Sequence, residues 1–297
     1  MNQMTFEDFV IHFDTEEACV KALYAVRWPN GFQCPHCHHQ CAYVICTRKV
    51  PLFECKACKK QTSIISGTVM EGSRISLRQW FQAIYLHAQP NSVNATQLSL
   101  IIGVTYKTAW LICHKLRFAM DQTESSELLT GLVRVSEAIY AKRLVPHLNW
   151  HDQEQPLLIG SSEDESGAII RIKIEKQAKE TMQSRYAAFT VDRFIRRYVK
   201  PEAAADVTVT RRIGRNVNRT LIYVAQDAET WLARVFLGIG SKHLQAYLNQ
   251  YCFMFNHDKN SMFGDLLRSC VNSPTITYPS LIGRGTVSNI SHLPVAS

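Results

Sequence analysis

The 297-residue sequence predicts an α+β, multi-domain chain: N-terminal helices, a small metal-clipped β module, a further helical segment and then a mixed α/β half. Three observations carry this expectation. Two C-x-x-C pairs sit among short strand-like runs, apolar residues recur at helical spacing on either side of them, and strand and helix patterns mix beyond about residue 130. At 46% hydrophobic and 20% charged, the chain has enough apolar material for a packed core.

The first segment, residues 1–31, reads as helical. Phe6, Phe9, Val10 and Phe13 fall on one face, Ala18, Val20, Leu23 and Val26 continue it, and Pro29-Asn30-Gly31 stops it. Glu7 and Asp8 stand where a signal peptide carries basic residues, and no run approaches the ~20 apolar residues of a membrane span. The expectation is therefore a cytoplasmic protein with no membrane partner. Ten cysteines in a reducing compartment ask for a role other than disulfides.

Residues 32–72 give four of them one. Cys34-Pro-His-Cys37 and Cys55-Lys-Ala-Cys58 are two knuckles separated by residues 38–54, a spacing suited to a structural four-cysteine zinc site. The short strand candidates Tyr43–Cys46, Leu52–Glu54 and Thr62–Ile65 run between and after them. Four thiolates close a tetrahedron and leave no position for chemistry, so Zn2+ here is structural. His36, His38, His39, Cys41 and Cys46 crowd the same region as substitute ligands.

Residues 73–120 return to a helical period, with Leu77, Trp80, Phe81, Ile84, Tyr85 and Ala88 on one stripe. A helix then ends at Gly103, Val104 turns inward and a second helix opens at Thr105, a helix-turn-helix-like spacing. Thr105, Tyr106, Lys107 and Thr108 would face a DNA major groove, with Ala109, Ile112, Cys113 and Leu116 packed behind. Lys115 and Arg117 are expected on flanking phosphates, and Lys56, Lys59 and Lys60 beside the second knuckle extend the same basic surface. A formal charge of +8 agrees with a polyanionic partner, because each Lys or Arg set on a phosphate releases a condensed counterion. Any αα-hairpin shares this helix-glycine-helix pattern, so a protein-interaction module stands as the alternative.

The polar stretch 121–130 reads as a linker. Over residues 131–273 the strand candidates are Leu132–Val135, Pro156–Ile159, Ala168–Ile174, Val207–Thr210 and Leu221–Val224, and the helix candidates are Ala187–Val199 and Ser241–Phe255. Residues 274–297, rich in Ser, Thr, Gly and Pro, read as a loosely ordered tail.

These residues resemble a known family, the ISXO-two-like insertion-sequence transposases with an N-terminal zinc ribbon. The likeness rests on Arg27-Trp-Pro-Asn-Gly-Phe-Gln-Cys-Pro-His-Cys37, Gly67-Thr-Val-Met-Glu-Gly72, Leu77-Arg-Gln-Trp-Phe-Gln-Ala-Ile-Tyr-Leu86, Gly103-Val-Thr-Tyr-Lys-Thr-Ala-Trp110 and His114-Lys-Leu-Arg-Phe-Ala-Met120. It continues at Gly131–Glu137 and Ser241–Asn256. The resemblance implies an RNase H-like catalytic domain whose carboxylates hold two divalent ions for DNA strand cleavage and transfer, and terminal inverted repeats of an insertion element as partner. At the positions matching the family's three acids this sequence carries Ser136, Arg211 and Gln250, with Glu137 retained beside the first. In a regular strand Glu137 points to the opposite sheet face from Ser136.

The resemblance thus implies a degenerate transposase that binds zinc and DNA, alone or with a second copy or an intact relative, while Mg2+ binding is expected to be lost. The competing enzyme reading uses displaced acids, Glu137, Asp192, Asp206 or Asp227.

Overall fold

The computed structural model of the protein describes residues 4–48, 50–143 and 148–281. Residues 282–297 of the expected tail lie outside the described residues. The chain opens with α1 (Phe6–His12) and α2 (Glu16–Arg27), each started by a threonine. The Thr5 and Thr15 side chains accept the N–H of Asp8 and Ala18, satisfying donors that the first helical turn leaves free.

The β module follows as an antiparallel meander of β1 (Ala42–Ile45), β2 (Leu52–Cys55) and β3 (Gln61–Ser63). So few residues bury little apolar area. Their small core is aromatic, with Trp28 5.0 Å from both Phe32 and Phe53 between ring centroids. Arg27 fastens the module to α2 by donating to the carbonyls of Ser63, Ile64 and Ser66.

Three helices come next: α3 (Leu77–His87), α4 (Ala95–Ile102) and α5 (Tyr106–Ser126). Ser76 with Gln79, and Asn94 with Gln97, form capping boxes at the starts of α3 and α4. The Glu16 carboxylate of α2 accepts the N–H groups of Leu77 and Arg78 at 3.0 and 3.2 Å, a negative charge at the positive end of α3. Gly103 takes φ +68°, the left-handed turn that ends α4, and Thr105 caps α5.

The stretch 121–130, read as a linker, is helical as far as Ser126. Its acids are held from afar: Asp121 accepts from Asn249 at 2.6 Å, and buried Glu124 pairs with buried Lys173 at 2.6 Å.

Beyond α5, the strands β4 (Leu132–Tyr140), β5 (Gln155–Glu163) and β6 (Ile169–Lys176) run antiparallel in turn. The helix α6 (Asp192–Tyr198) then crosses over to β7 (Thr208–Thr210), which pairs parallel with β4, giving the order β6-β5-β4-β7. Side chains alternate along β4. Val133 and Val135 join Phe189, Phe194 and Tyr198 on the α6 face, and Ala138 and Tyr140 join the opposite face. Gly160 lets α6 approach, since a Cβ there would sit 2.7 Å from the Phe194 ring.

The other face is covered by α7 (Arg219–Phe236) and α8 (Leu244–Asn256). The strand expected at Leu221–Val224 is instead the start of α7. Asn218 caps that helix, and Leu221, Ala225, Ala228, Leu232 and Val235 form a buried helical stripe that outlasts the short β-branched run. The chain then returns to its beginning. Met262, Leu266, Leu267 and Cys270 of α9 (Met262–Asn272) share one core with α1 to α5, and α10 (Tyr278–Leu281) lies on α5. Among the described residues no helix is long and apolar enough to cross a membrane.

Candidate metal centre and nucleic-acid interface

The two knuckles fold alike. In each, the residue after the second cysteine (His38, Lys59) takes φ +59°. Its N–H donates to the carbonyl of the first cysteine, at 2.9 Å for His38 to Cys34 and 3.0 Å for Lys59 to Cys55. The N–H groups of Cys34 and Cys55 in turn donate to the carbonyls of His39 and Lys60, both at 3.0 Å. Two identical turns therefore aim four sulfurs at one point.

Cys34 and Cys58 Sγ lie 3.7 Å apart, Cys37 and Cys55 Sγ 3.5 Å apart, and all four sulfurs lie within 4.8 Å of one another. A tetrahedral zinc with Zn–S bonds of about 2.3 Å requires sulfurs about 3.8 Å apart, so the donor set fits a structural Zn2+. The amides of Cys37 and His36 pull the Cys34 thiol down to about 7 and those of Cys58 and Ala57 pull Cys55 below its ordinary value, whereas Cys37, despite the lowering His39 amide, is pushed up to about 12 by the Cys58, Cys55 and Cys34 sulfurs and by burial. The substitute ligands His36, His38, His39, Cys41 and Cys46 are all exposed and stand outside this cluster.

At the start of α5, Thr105, Tyr106 and Lys107 are exposed and Thr108 is half-buried, while Ala109, Ile112, Cys113 and Leu116 are buried behind them. Lys59 and Lys60 are exposed on the ribbon, and Lys56 and Lys59 stand over the exposed Tyr43 ring at 4.9 and 5.5 Å. Two expected phosphate contacts are not at the surface. Lys115 is buried, its Nζ donating to the carbonyls of Val69 and Glu71 at 2.6 and 3.2 Å. Arg117 is 2% exposed; its Nε donates to Gln250 Oε1 at 2.8 Å and its guanidinium stacks 3.8 Å from the Tyr247 ring centroid. Both cations face the interior because α5 is sandwiched between the N-terminal core and α8, so its middle turns have no solvent side there.

The positions matched to catalytic acids separate into two places. Ser136 pairs with Thr210 in the parallel β4–β7 ladder, so Arg211 follows directly at the strand end. Gln250 is buried elsewhere, between Arg117 and the Ser92 hydroxyl, to which its amide donates at 3.0 Å. Glu137 shares the α6 face with Val135 and is buried. Its Oε1 accepts the Phe189 N–H at 2.8 Å and its Oε2 accepts Arg212 Nη1 at 2.7 Å, with Arg211 Nε 4.0 Å from Oε1. Burial pulls the Arg212 guanidinium below its ordinary value while Glu137 pushes it up.

Arg212 escaped the sequence reading, although the doubled arginine after β7 hinted that one of the pair turns inward. Asp192, Asp206 and Asp227 are exposed, on α6, before β7 and on α7 respectively, and Asp227 accepts the Tyr251 hydroxyl at 2.6 Å. Among the described residues, the four cysteines alone form a group of three or more Cys, His, Asp or Glu close enough to hold a metal ion.

Residues 14–61, spanning α2 and the knuckles, match the model of the transposase zinc-ribbon domain. Over 145 residues the chain is also 30% identical to an uncharacterized protein in transposable element ISH50 of Halobacterium salinarum, covering 48% of this chain and 47% of that protein. These two likenesses place a transposase-type zinc ribbon at residues 14–61 and a similarity to an insertion-element protein over about half of the chain. The chain spans about half the length of the curated relative it matches. No solved structure matches it.

Proposed function

We propose that the protein is a DNA-binding protein of insertion-sequence origin that grips the terminal inverted repeats of an element and does not cut them. The observation that carries the second half is the state of Glu137, the acid next to the first replaced position. Its two oxygens are already occupied by the Phe189 amide and the Arg212 guanidinium in a buried setting. A guanidinium about 4 Å from a divalent ion costs roughly 8 kcal/mol at an effective dielectric of 20, so the arginines repel the Mg2+ that DNA cleavage needs. Ser136, Arg211 and Gln250 supply no carboxylate at the three matched positions.

The strand order supports an RNase H-like reading of the C-terminal half: three antiparallel strands, then a helical crossover to a fourth strand parallel to the first. We take residues 131–273 as that domain, 1–31 and 32–72 as the helical segment and ribbon, and 73–120 as a helix-turn-helix-like segment. The exposed start of α5 supports Thr105, Tyr106, Lys107 and Thr108 as groove-facing residues, with Lys59 and Lys60 as phosphate contacts. Lys115 and Arg117 leave that set because they are buried. The partners that follow are inverted-repeat DNA and either a second copy of this chain or a related intact transposase.

Binding of the zinc-loaded protein to the terminal inverted repeats of the nearest intact element, measured across a salt series, tests the DNA half. Affinity should fall steeply as salt rises, and Lys107→Ala should reduce the slope of log affinity against log salt by about one. A salt-insensitive interaction would point instead to the protein-interaction module.

A further inference from the structure

Beside the start of α5 lies an open cleft of about 810 Å3. Its walls include Arg74 and Ile75 from the turn before α3, Tyr106, Lys107 and Trp110 from α5, and Tyr278 from α10. Trp110 and Tyr278 meet edge to face, with ring centroids 5.7 Å apart and planes at 63°. Tyr106 and Tyr278 are 56% and 52% exposed. Arg74 and Lys107 are exposed on the rim, and no acidic side chain lines the cleft among the described residues.

Aromatic faces flanked by cations suit a planar, electron-rich ring carried on an anionic backbone. Duplex DNA does not offer such a ring, because stacked bases present only their edges in the grooves. An unpaired base exposes its whole face. The cleft shares Tyr106, Lys107 and Thr108 with the surface proposed to meet duplex DNA.

We propose that this cleft holds an unpaired nucleobase of a DNA strand, with the adjoining phosphates on Arg74 and Lys107, at a junction where duplex gives way to single strand. The proposal rests on the DNA-binding reading above and adds a ligand to it.

The test uses the full zinc-loaded chain with two labelled probes: a blunt duplex, and the same duplex with a short unpaired tail containing 2-aminopurine. The tail should raise affinity about tenfold over the blunt duplex, the scale of one base stacked on an aromatic ring, and should quench the 2-aminopurine fluorescence. Tyr278→Ala, which lies outside the proposed duplex contacts, should abolish both the gain and the quench while leaving blunt-duplex affinity within about twofold. Blunt binding with no gain from the tail, or a gain and quench that survive Tyr278→Ala, overturns this proposal alone. Failure to bind either probe overturns the DNA-binding reading together with it.

Discussion

Arg117 shows how far one side chain departs from what its neighbours in sequence suggest. Its position on a basic helix suggests a phosphate contact, yet its guanidinium is spent on Gln250 and the Tyr247 ring. Gln250→Ala would leave a buried guanidinium nitrogen without its acceptor and should cost about 2–3 kcal/mol in urea unfolding. Gln250→Glu, which keeps an acceptor, should cost less; equal losses would refute the hydrogen bond's role.

Two buried histidines make a second residue-scale prediction. Burial above all, aided by Arg117, pushes His87 down to about 3, and burial, Arg117 and His243 push His114 to about 3 as well. Both are therefore neutral in the native state where an unfolded histidine, near 6.5, takes a proton. Their stabilisation is complete above about pH 6.5 and is lost as pH falls towards 3, each by up to about 1.4 kcal/mol per pH unit. His87→Leu should lose less stability than the parent between pH 7 and pH 5.5; parallel losses in urea titrations would contradict this.

At the scale of elements, the ribbon depends on its metal more than on its core. Structural zinc contributes on the order of 10 to 16 kcal/mol to such modules, far more than the small aromatic cluster of Trp28, Phe32 and Phe53 supplies. Cys55→Ser should abolish zinc retention in elemental analysis and unfold residues 32–72, seen as loss of amide protection in hydrogen exchange; retained zinc with an unchanged exchange pattern would show that other ligands hold the ion. The ribbon was also the most legible element in the sequence, because a knuckle is local: cysteine spacing and two turns define it.

Elements whose identity depends on distant partners were not legible in the same way. The run Leu221-Ile-Tyr-Val224 has strand-like composition, and only the longer stripe from Leu221 to Val235 reveals α7. Residues 121–126 look like a polar linker until Asn249 and Lys173 arrive to pair with Asp121 and Glu124. The cleft beside α5 is assembled from residues 72 to 278, so no local pattern announces it.

Across the whole molecule, α9 closes the chain onto the helices that begin it, so the ribbon-bearing half and the C-terminal half meet in shared packing. The helix α5 extends this continuity: its start is exposed beside the cleft, its middle is held by Gln250 and its end by Lys173. The surface proposed to meet DNA is thereby fixed to the sheet in which Ser136 pairs with Thr210, Arg211 follows at the strand end and Glu137 is bound to Arg212. Binding without cutting is the function proposed for this arrangement. The most direct measurement incubates the zinc-loaded protein with inverted-repeat DNA, with and without magnesium, and reads bound complex and strand breaks from the same samples. The account predicts salt-sensitive complexes and intact strands in both conditions; a magnesium-dependent nick at a repeat end, abolished by Glu137→Gln, would contradict it.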